Sequence, residues 1–405
     1  MKTLPLRFTL AAVAAILVSS AVAQRPLCEV LMRDGRMLPA DGLVRGAGDV
    51  LQLVRATGSE TVSFQAVLAV LGTRVQDSAL PAAHLAKGDV VRGLLVGGDV
   101  AGDTLLLQSA VLGRLNVAVE RLECLVLRPE AARARDLVMP EAATEALFLP
   151  ASLGFDRQTG TLHQFGEAGI RFQPEVDKAP RWFAPRELIG LRLSGALPPD
   201  QPAVAELCTR AADRIGLTGF VFEGATIRCR LEGDVEVTVS LADLGCLLRL
   251  DTGVVMVSGL EPVRVVGAAF DGDALMSWQR DLAVSGSMLA ASGRCYARGL
   301  GVHSRSRLQF VVPPGVDSFH TRVAFDDSAL QLPVRGRVAI AVRIEGVGKP
   351  TEFELAAGGA VQTVGPLEVQ PGQVLSLEVE FGAGRDVGDR VDWLLPVFLP
   401  TAAAK

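Results

Sequence analysis

The sequence is poor in the residues from which metal and nucleophilic sites are commonly built. Its 405 residues include one tyrosine and only four histidines, which are scattered along the chain. The six cysteines contain no Cys-x-x-Cys pair. A zinc site with cysteine and histidine ligands is therefore not expected. No serine or cysteine nucleophile stands near a plausible base, which disfavours a catalytic triad.

Positive charge and long apolar runs are also scarce. The formal net charge is −5, and no block of like charges interrupts the chain. Nucleic acid is therefore not an expected partner, because phosphate backbones select basic surfaces. After the N-terminal segment no apolar run approaches the ~20 residues that a membrane-spanning helix needs. We expect no membrane span in the mature protein.

The N-terminal segment has the pattern of a secretory signal peptide. Lys2 and Arg7 precede an uncharged apolar run over residues 8–18, and the small-residue triplet Ala21-Val22-Ala23 follows it. This order predicts a signal peptide over residues 1–23, cut before Gln24. An uncleaved anchor is the alternative, although the apolar run is short for a ~30 Å hydrocarbon core. The protein is therefore predicted to be secreted or periplasmic.

What remains is rich in short Val and Leu runs separated by Gly and Asp turns, which indicates an all-β fold. Hydrophobic residues make up 49% of the chain and glycines number 42, whereas capped helical patterns are hard to find. More than one domain is expected at this length. Disulfides are permitted in an oxidising compartment, but sequence does not rank their pairings. Only Cys295 lies in the C-terminal part, which implies an interdomain bridge or a buried thiol there.

The region before residue 250 is internally repetitive. The phrase over residues 62–67 (VSFQAV) has its counterpart at 239–244 (VSLADL), and Gly42-Leu43 has its counterpart at Gly219-Phe220, both 177 residues further on. Two further units close with 119–122 and 185–191. We therefore predict four tandem β units of about 50 residues, two in residues 24–130 and two in 140–250. Their strand rhythm weakly resembles small SH3-like or Sm-like barrels, and spacing or protein contact is the expected role.

From residue 253 to 400 the pattern changes to longer alternating strands. Val338, Ile340, Val342 and Ile344 share one face, and residues 375–381 alternate in the same way. Strands of this kind bury one face only. Two antiparallel sheets packed face to face satisfy the pattern.

Several phrases in this segment occur in the order found in a known family. They are Leu260-Glu261-Pro262, Trp278 in the loop that follows, residues 296–304 (YARGLGVHS), residues 325–328 (FDDS) and Asp392-Trp393-Leu394. In these residues the segment resembles the NPCBM modules, carbohydrate-binding modules first noted beside glycosyl hydrolase family 98. The resemblance implies a galactose-binding-like jelly-roll β-sandwich.

Candidate sugar contacts follow from this resemblance and from chemistry. Aromatic faces stack on apolar sugar faces, while carboxylates, histidine and arginine bond hydroxyl groups. The predicted carbohydrate-binding residues are Trp278, Tyr296, His303, Arg305, Asp326 and Asp327. For any one aromatic residue, core packing is the competing interpretation. Four more residues are predicted to be structural: Gly299 and Gly301 for a tight backbone path, and Asp392 and Trp393 to anchor the last strand.

Asp326 and Asp327 admit two further interpretations. Adjacent carboxylates could hold a structural calcium, although such a site needs more oxygens than these two supply. The alternative is a turn in which Asp caps backbone amides. The pair is a poor acid/base couple for glycoside hydrolysis, because neighbouring side chains on a strand point to opposite faces.

Three functions remain open from the sequence. The first is an exported, non-catalytic protein that binds a carbohydrate or glycan through its C-terminal sandwich. The second is a structural or protein-interaction component of the cell envelope, with envelope or extracellular proteins as partners and no sugar binding. A glycoside hydrolase is the third and least favoured, because no catalytic domain is visible.

Overall fold

The computed structural model describes residues 26–73, 79–99, 102–137, 144–268, 276–382 and 385–400. The predicted signal peptide, residues 1–23, lies outside these ranges. Almost all regular structure in the described ranges is β, which confirms the predicted fold class. The α-helix found there is the single turn Ala134–Leu137. Within the same ranges no helix is long and apolar enough to cross a lipid bilayer.

The repetitive region forms four β units. Unit 1 contains β1 Cys28–Met32, β2 Met37–Ala40, β3 Gly42–Arg45, β4 Val50–Arg55, β5 Gly58–Ser63 and β6 Val67–Leu71. Unit 2 contains β7 Ala82–Leu85, β8 Val90–Arg92, β9 Leu94–Gly98, β10 Thr104–Ser109, β11 Gly113–Ala118 and β12 Leu122–Val126. Unit 3 contains β13 Glu145–Pro150, β14 Phe155–Gly166, β15 Gly169–Pro174, β16 Arg181–Phe183 and β17 Gly190–Arg192. Unit 4 contains β18 Ala205–Thr209, β19 Arg214–Leu217, β20 Gly219–Gly224, β21 Thr226–Arg230, β22 Glu236–Ser240 and β23 Leu244–Arg249.

All four units share one strand order. The first strand of each pairs with the second and with the last: β1 with β2 and β6, β7 with β8 and β12, β13 with β14 and β17, and β18 with β19 and β23. A 3₁₀ turn precedes the last strand in units 2, 3 and 4, at Val119–Arg121, Pro185–Glu187 and Leu241–Asp243. Strands β1 and β18 begin at residues 28 and 205, which are 177 positions apart. The structure therefore confirms the repeat and its spacing.

The four units are joined through their edge strands and are not separate domains. One 14-stranded sheet runs through them in the order unit 3, unit 2, unit 4, unit 1. The joining pairs are β17 with β12, β8 with β19, and β23 with β6. Strand β3 also pairs with β20, which links units 1 and 4 in a second sheet. A single continuous hydrophobic core draws residues from all four units. Each small unit therefore gains from its neighbours the burial that it lacks alone.

The C-terminal segment is a β-sandwich. Its first sheet contains β26 Gln279–Arg280, β29 Gly299–His303, β36 Arg390–Pro400, β31 Val316–Phe325 and β34 Gln362–Glu368, in that order, with β24 Val255–Met256 beside β36. Its second sheet contains β25 Arg264–Gly267, β30 Ser306–Val311, β35 Val374–Phe381, β32 Arg337–Ile344 and β33 Thr351–Ala356. A separate hairpin is formed by β27 Leu289–Ala291 and β28 Arg294–Tyr296. The remaining 3₁₀ segments in the described ranges are Ala86–Gly88, Glu232–Asp234, Val257–Gly259 and Asp327–Gln331.

Sequence alternation explains the sandwich. Val338, Ile340, Val342 and Ile344 are buried between the two sheets, as their spacing predicts. Fully buried Trp393 and Phe398 contribute from β36 to the same core. The apolar faces of both sheets are thereby removed from water, which is the main favourable contribution to folding.

The outer face of the first sheet docks on the repeats. Leu394, Leu395 and Val397 of β36 join a buried cluster with Leu68 and Leu71 of unit 1. The β27–β28 hairpin contributes to this cluster as well, and its Arg294 forms a β-bridge with Thr73. The repeats therefore cover one sheet of the sandwich, while the outer face of the second sheet stays open to solvent.

No disulfide joins the six cysteines, all of which are buried. Cys208 and Cys246 lie opposite each other on β18 and β23. Cys295 belongs to the same docking cluster as these two residues. Of the two alternatives left open for Cys295, the structure therefore has the buried thiol.

Candidate functional site

Two of the predicted site residues, Trp278 and His303, lie near one end of the first sheet. Gln279 pairs with Gly301 in the β26–β29 ladder, so Trp278 immediately before β26 and His303 at the end of β29 lie at the same end of the sheet. The indole packs partly against the sandwich core and stays partly exposed. An aromatic ring with one buried and one open side can both anchor the loop and meet a ligand.

Arg280 and Glu261 border the indole. The Arg280 guanidinium carbon lies 5.7 Å from the centroid of the Trp278 ring. The same guanidinium donates to Glu261 Oε1 at 2.9 Å and to the Leu260 carbonyl at 3.2 Å. Residue-type reasoning had omitted Arg280 and Glu261 from the site. Glu261 could have been found from the sequence, because it lies in Leu260-Glu261-Pro262, which served only as evidence for the family resemblance.

His303 presents one ring nitrogen as an acceptor. Its Nδ1 lies 2.6 Å from the carbonyl oxygen of Ser304, and a carbonyl can only accept, so Nδ1 carries the proton. In the neutral ring Nε2 is then unprotonated and can accept a hydrogen bond from a hydroxyl group. His303 is the last residue of β29, and its ring contacts the residue that follows it in the chain.

Behind His303 lies a buried polar pair that sequence reasoning missed. Ser304 Oγ donates to Asp389 Oδ2 at 2.5 Å, and neither residue is exposed. Burial raises the pKa of the Asp389 carboxyl above its usual value. Next to this pair, Arg305 is half-exposed and its Nε lies 3.3 Å from Glu380 Oε2. The end of the sandwich thus offers an indole, an imidazole acceptor and guanidinium donors.

Tyr296, Asp326 and Asp327 lie elsewhere, in the docking region. Tyr296 is 2% exposed within the cluster between sandwich and repeats, and burial raises the pKa of its phenol to about 12. Asp326 accepts hydrogen bonds from the backbone N–H groups of Ala290 at 3.1 Å and Ser328 at 2.9 Å. Asp327 accepts from Gly293 N–H at 2.8 Å.

These three residues therefore make structural contacts and do not offer the open faces that sugar binding was expected to use. The physical reason is tertiary, because the repeats pack over Tyr296 and the β27–β28 hairpin occupies the two carboxylates. Asp326 and Asp327 are acceptors for backbone amides, which is the alternative to calcium raised from the sequence. Within the described ranges, no group of three or more His, Cys, Asp or Glu side chains is arranged to hold a metal ion.

Gly299 and Gly301 are needed for close packing rather than for positive φ. A Cβ on Gly299 would lie 2.3 Å from the Trp393 carbonyl oxygen, and one on Gly301 would lie 2.3 Å from the Leu282 carbonyl oxygen. Gly299 has extended backbone, with φ +159°. The tight backbone path predicted from the sequence is therefore a path with no room for a side chain at either position.

Asp392 and Trp393 are both fully buried on β36: the Trp393 ring belongs to the core between the sheets, and the Asp392 carboxyl lies near Asp326. Burial and the neighbouring Asp326 carboxylate raise the pKa of Asp392 well above its usual value. Asp392 lies opposite Gly301 on one side and Ala324 on the other, in the middle of the first sheet. Both residues therefore occupy buried positions that suit their predicted role as anchors of the last strand, β36.

A family model described as NPCBM/NEW2 domain matches residues 255–399. These residues coincide with the sandwich, so the match confirms the family resemblance. No curated protein matches the chain.

Solved structures of modules called CBM51 are similar to the chain at low identity. One is CBM51 of a Clostridium perfringens GH95 protein in complex with methyl-galactose, with 16% identity, a TM-score of 0.31, and 36% of this chain and 99% of that one covered. Another is the tandem CBM51 pair of the family 98 glycoside hydrolase of Streptococcus pneumoniae, with 12% identity, a TM-score of 0.31, and 92% and 88% covered. A third is the M60 catalytic domain with two CBM51 domains of Clostridium perfringens ZmpB, with 12% identity and a TM-score of 0.33. The alignment covers 87% of this chain but only 41% of that third protein.

Proposed function

We propose that this chain is an exported, non-catalytic protein that binds carbohydrate at the end of its C-terminal sandwich. The observation that carries the proposal is the match of residues 255–399 to the NPCBM/NEW2 domain. The contact residues are Trp278, His303 and Arg305. Arg280 and Glu261 border the indole and bond the hydroxyl groups of the bound sugar.

The chemistry of this site suits a sugar ring. The exposed part of the Trp278 indole covers the apolar C–H face of the ring, which is the usual mode of aromatic recognition. His303 Nε2 accepts from one hydroxyl group, and the guanidinium groups donate to others. The site is small and polar, so we expect weak binding that repetition of the ligand on a polymer strengthens.

A second candidate, a structural or protein-binding component of the envelope, is favoured by one observation. Tyr296, Asp326 and Asp327 are used to dock the sandwich on the repeats, which leaves fewer side chains for a ligand. The same observation disfavours a glycosidase built on the Asp326 and Asp327 carboxyls, which are buried and bonded to backbone amides.

The test is binding of the full chain to an array of plant, algal and bacterial glycans, followed by calorimetry on each hit. Trp278→Ala and His303→Ala are expected to weaken binding about tenfold, while calcium and EDTA leave it unchanged. Trp182→Ala is the matched control, because Trp182 is 43% exposed in unit 3, away from the sandwich. If the folded protein binds no glycan on the array, the result would instead favour the structural role.

Export has its own test. The mature protein recovered from the producing cell is expected to begin at Gln24, outside the cytoplasm. Intact-mass measurement checks this prediction, and retention of residues 1–23 on an exported protein would favour the uncleaved anchor.

A further inference from the structure

The open face of the second sheet carries a groove at one end. The groove has a volume of about 680 Å³, and it is lined by residues from β25, β30, β32 and β35 and from the loop after β32. This face stays open because the repeats dock on the first sheet. The groove therefore lies on the opposite side of the sandwich from the docking cluster.

A row of polar side chains crosses the floor of the groove. The ladders place Arg264 opposite Gln309, Gln309 opposite Ser376, and Ser376 opposite Arg343. Gln309 Nε2 donates to Ser376 Oγ at 2.8 Å, which fixes the amide and leaves its Oε1 as an acceptor. Ser376 itself is only 6% exposed, so the floor is already ordered before any ligand arrives.

A second row, beside the first, holds the guanidinium of Arg343 in place. Glu378 is 4% exposed and accepts from Arg307 at 3.1 Å, while Arg343 Nε lies 3.3 Å from it. Arg343 Nη2 also donates to Glu352 at 2.6 Å. Because a guanidinium has more N–H groups than these carboxylates occupy, Arg343 keeps donors for a further partner. Such fixed donors cost little additional entropy on binding.

The walls of the groove are aliphatic. Val263 and Val347 are 59% and 51% exposed, and Pro350 lies beside them. Next to the groove, Ala341 lies opposite Glu378 and Glu352 with only a methyl group on the outer face. Because the side chains of Ala341 and Ser376 are small, they leave space above the sheet. An extended ligand chain can therefore lie across the strands.

The charges of the groove are mixed. Arg264 and Arg343 line it together with the exposed carboxylate of Glu345, and Glu378 lies beneath. An anionic polymer would meet these carboxylates as well as the guanidiniums. A hydroxyl group both donates and accepts, so a neutral ligand rich in hydroxyl groups matches the alternating donors and acceptors, while its C–H faces contact the valines.

We propose that this groove binds an internal segment of a neutral polysaccharide chain, in addition to the sugar bound at the end of the sandwich. The inference rests on the proposed carbohydrate-binding function and adds to it a second subsite and a substrate class. When one polymer chain occupies both subsites of the protein, its apparent affinity exceeds that of either subsite alone.

The experiment uses the full chain with galactan, mannan and xylan, with oligosaccharides of increasing length from each, and with polygalacturonate as the acidic comparison. The double variant Arg264→Ala/Gln309→Leu removes two donors of the groove and leaves Arg343 in place, and Ser376→Phe fills its floor as an independent variant. Arg337→Ala is the control, because Arg337 lies on the same face outside the groove in an exposed pair with Glu354. Thermal unfolding of every variant checks that it is folded.

For wild type, affinity for one of the neutral polymers is expected to rise with chain length and to change little with salt. Either groove variant should lower polymer affinity about tenfold and leave monosaccharide affinity unchanged. If both folded groove variants bind the polymer like wild type while Trp278→Ala does not, the groove inference is overturned and the proposed function stands. If the groove variants abolish binding and Trp278→Ala has no effect, the groove stands and the end site is wrong. Preferential, salt-sensitive binding of polygalacturonate would overturn the assignment to a neutral chain.

Discussion

The backbone N–H of Ala290 donates to the carboxylate of Asp326 at 3.1 Å, across 36 positions of the sequence. With the bond from Gly293 to Asp327, it fixes the β27–β28 hairpin to the end of β31. That hairpin presents Arg294, which is 2% exposed and donates to the Pro26 carbonyl at 3.0 Å at the start of unit 1. Two adjacent carboxylates of the family phrase thus serve to dock the sandwich on the repeats.

Asp327→Ala is expected to lower the free energy of unfolding by about 1–3 kcal/mol, since Gly293 N–H then loses its acceptor in a half-buried site. Denaturant titration measures this. Asp317→Ala, which removes an exposed carboxylate from the preceding strand β31, should change stability by no more than about 0.5 kcal/mol. Glycan affinity of the folded Asp327 variant should equal that of wild type, and a selective loss of affinity would return Asp327 to the binding site.

A four-residue ionic network crosses between the repeats and the sandwich. Glu206 and Arg214 of unit 4 meet Arg298 and Asp281 of the sandwich, with Arg214 Nε 2.9 Å from Glu206 Oε1 and Arg298 Nη1 2.8 Å from Asp281 Oδ2. Glu206 and Asp281 are both nearly inaccessible.

Glu206→Ala is expected to cost about 3–5 kcal/mol, because it leaves two guanidiniums sharing one buried carboxylate. Chemical denaturation and limited proteolysis near residue 252 would detect the loosened docking. Glu223→Ala is the matched control, since the Glu223–Arg228 pair is 46% and 49% exposed and is expected to contribute less than about 1 kcal/mol. Equal losses in the two variants would contradict a role for the network in docking.

Gly301→Ala is expected to destabilise the sandwich by at least about 2 kcal/mol. The new methyl group would meet the backbone at Leu282 and Ala283, and backbone gives way less easily than a side chain. Gly259→Ala has open space around its Cβ and should be close to neutral. Thermal unfolding compares the two, and a Gly301 variant as stable as wild type would show that close packing is not the reason for this glycine.

Because His84 is protected from protonation in the folded protein, we expect stability to fall in mild acid. Burial and the Arg92 charge lower its pKa from the usual 6.5 of histidine to about 4. Below pH 6.5 the unfolded chain therefore binds a proton that the folded chain excludes, so stability falls as the pH drops from 6.5 towards 4. Because the ring is partly exposed, we expect this loss in the free energy of unfolding to be about 2 kcal/mol.

Denaturation curves at several pH values for wild type and His84→Phe isolate this contribution. The difference between the two proteins should grow below pH 6.5, because carboxyls such as Asp213, whose pKa is raised, act equally on both. A constant difference across this range would show that the folded protein protonates His84 as readily as the unfolded chain does.

The cysteines are expected to resist alkylation in the native state. Burial raises the pKa values of Cys28, Cys124 and Cys229 to about 12, and it raises those of Cys208 and Cys246 well above the usual thiol value. Thiolate is the reactive form, so iodoacetamide at pH 8 should label these five residues only after denaturant is added. Mass spectrometry reads out the modified sites, and rapid labelling of Cys208 in the folded chain would contradict the buried docking cluster.

Periodicity in the sequence determined much of this protein. Alternation of apolar and polar residues is a local property of a strand, so β32 and β35 were predictable with their buried faces. The 177-residue shift was readable because homologous turns keep their spacing, and it returned in the starts of β1 and β18. The order of the family phrases located the sandwich without knowledge of its packing.

Tertiary structure decided which family residues remain accessible. Tyr296 and Asp326 look like ligand-binding residues in isolation, but burial depends on what packs against them. The surface that covers Tyr296 comes from unit 1 and unit 4, and the β27–β28 hairpin bonds Asp326. The order of the units in the long sheet likewise follows from edge pairing between distant strands, which no local pattern encodes. The polar row from Arg264 to Arg343 joins four strands that are separated in sequence, so only their register brings it together.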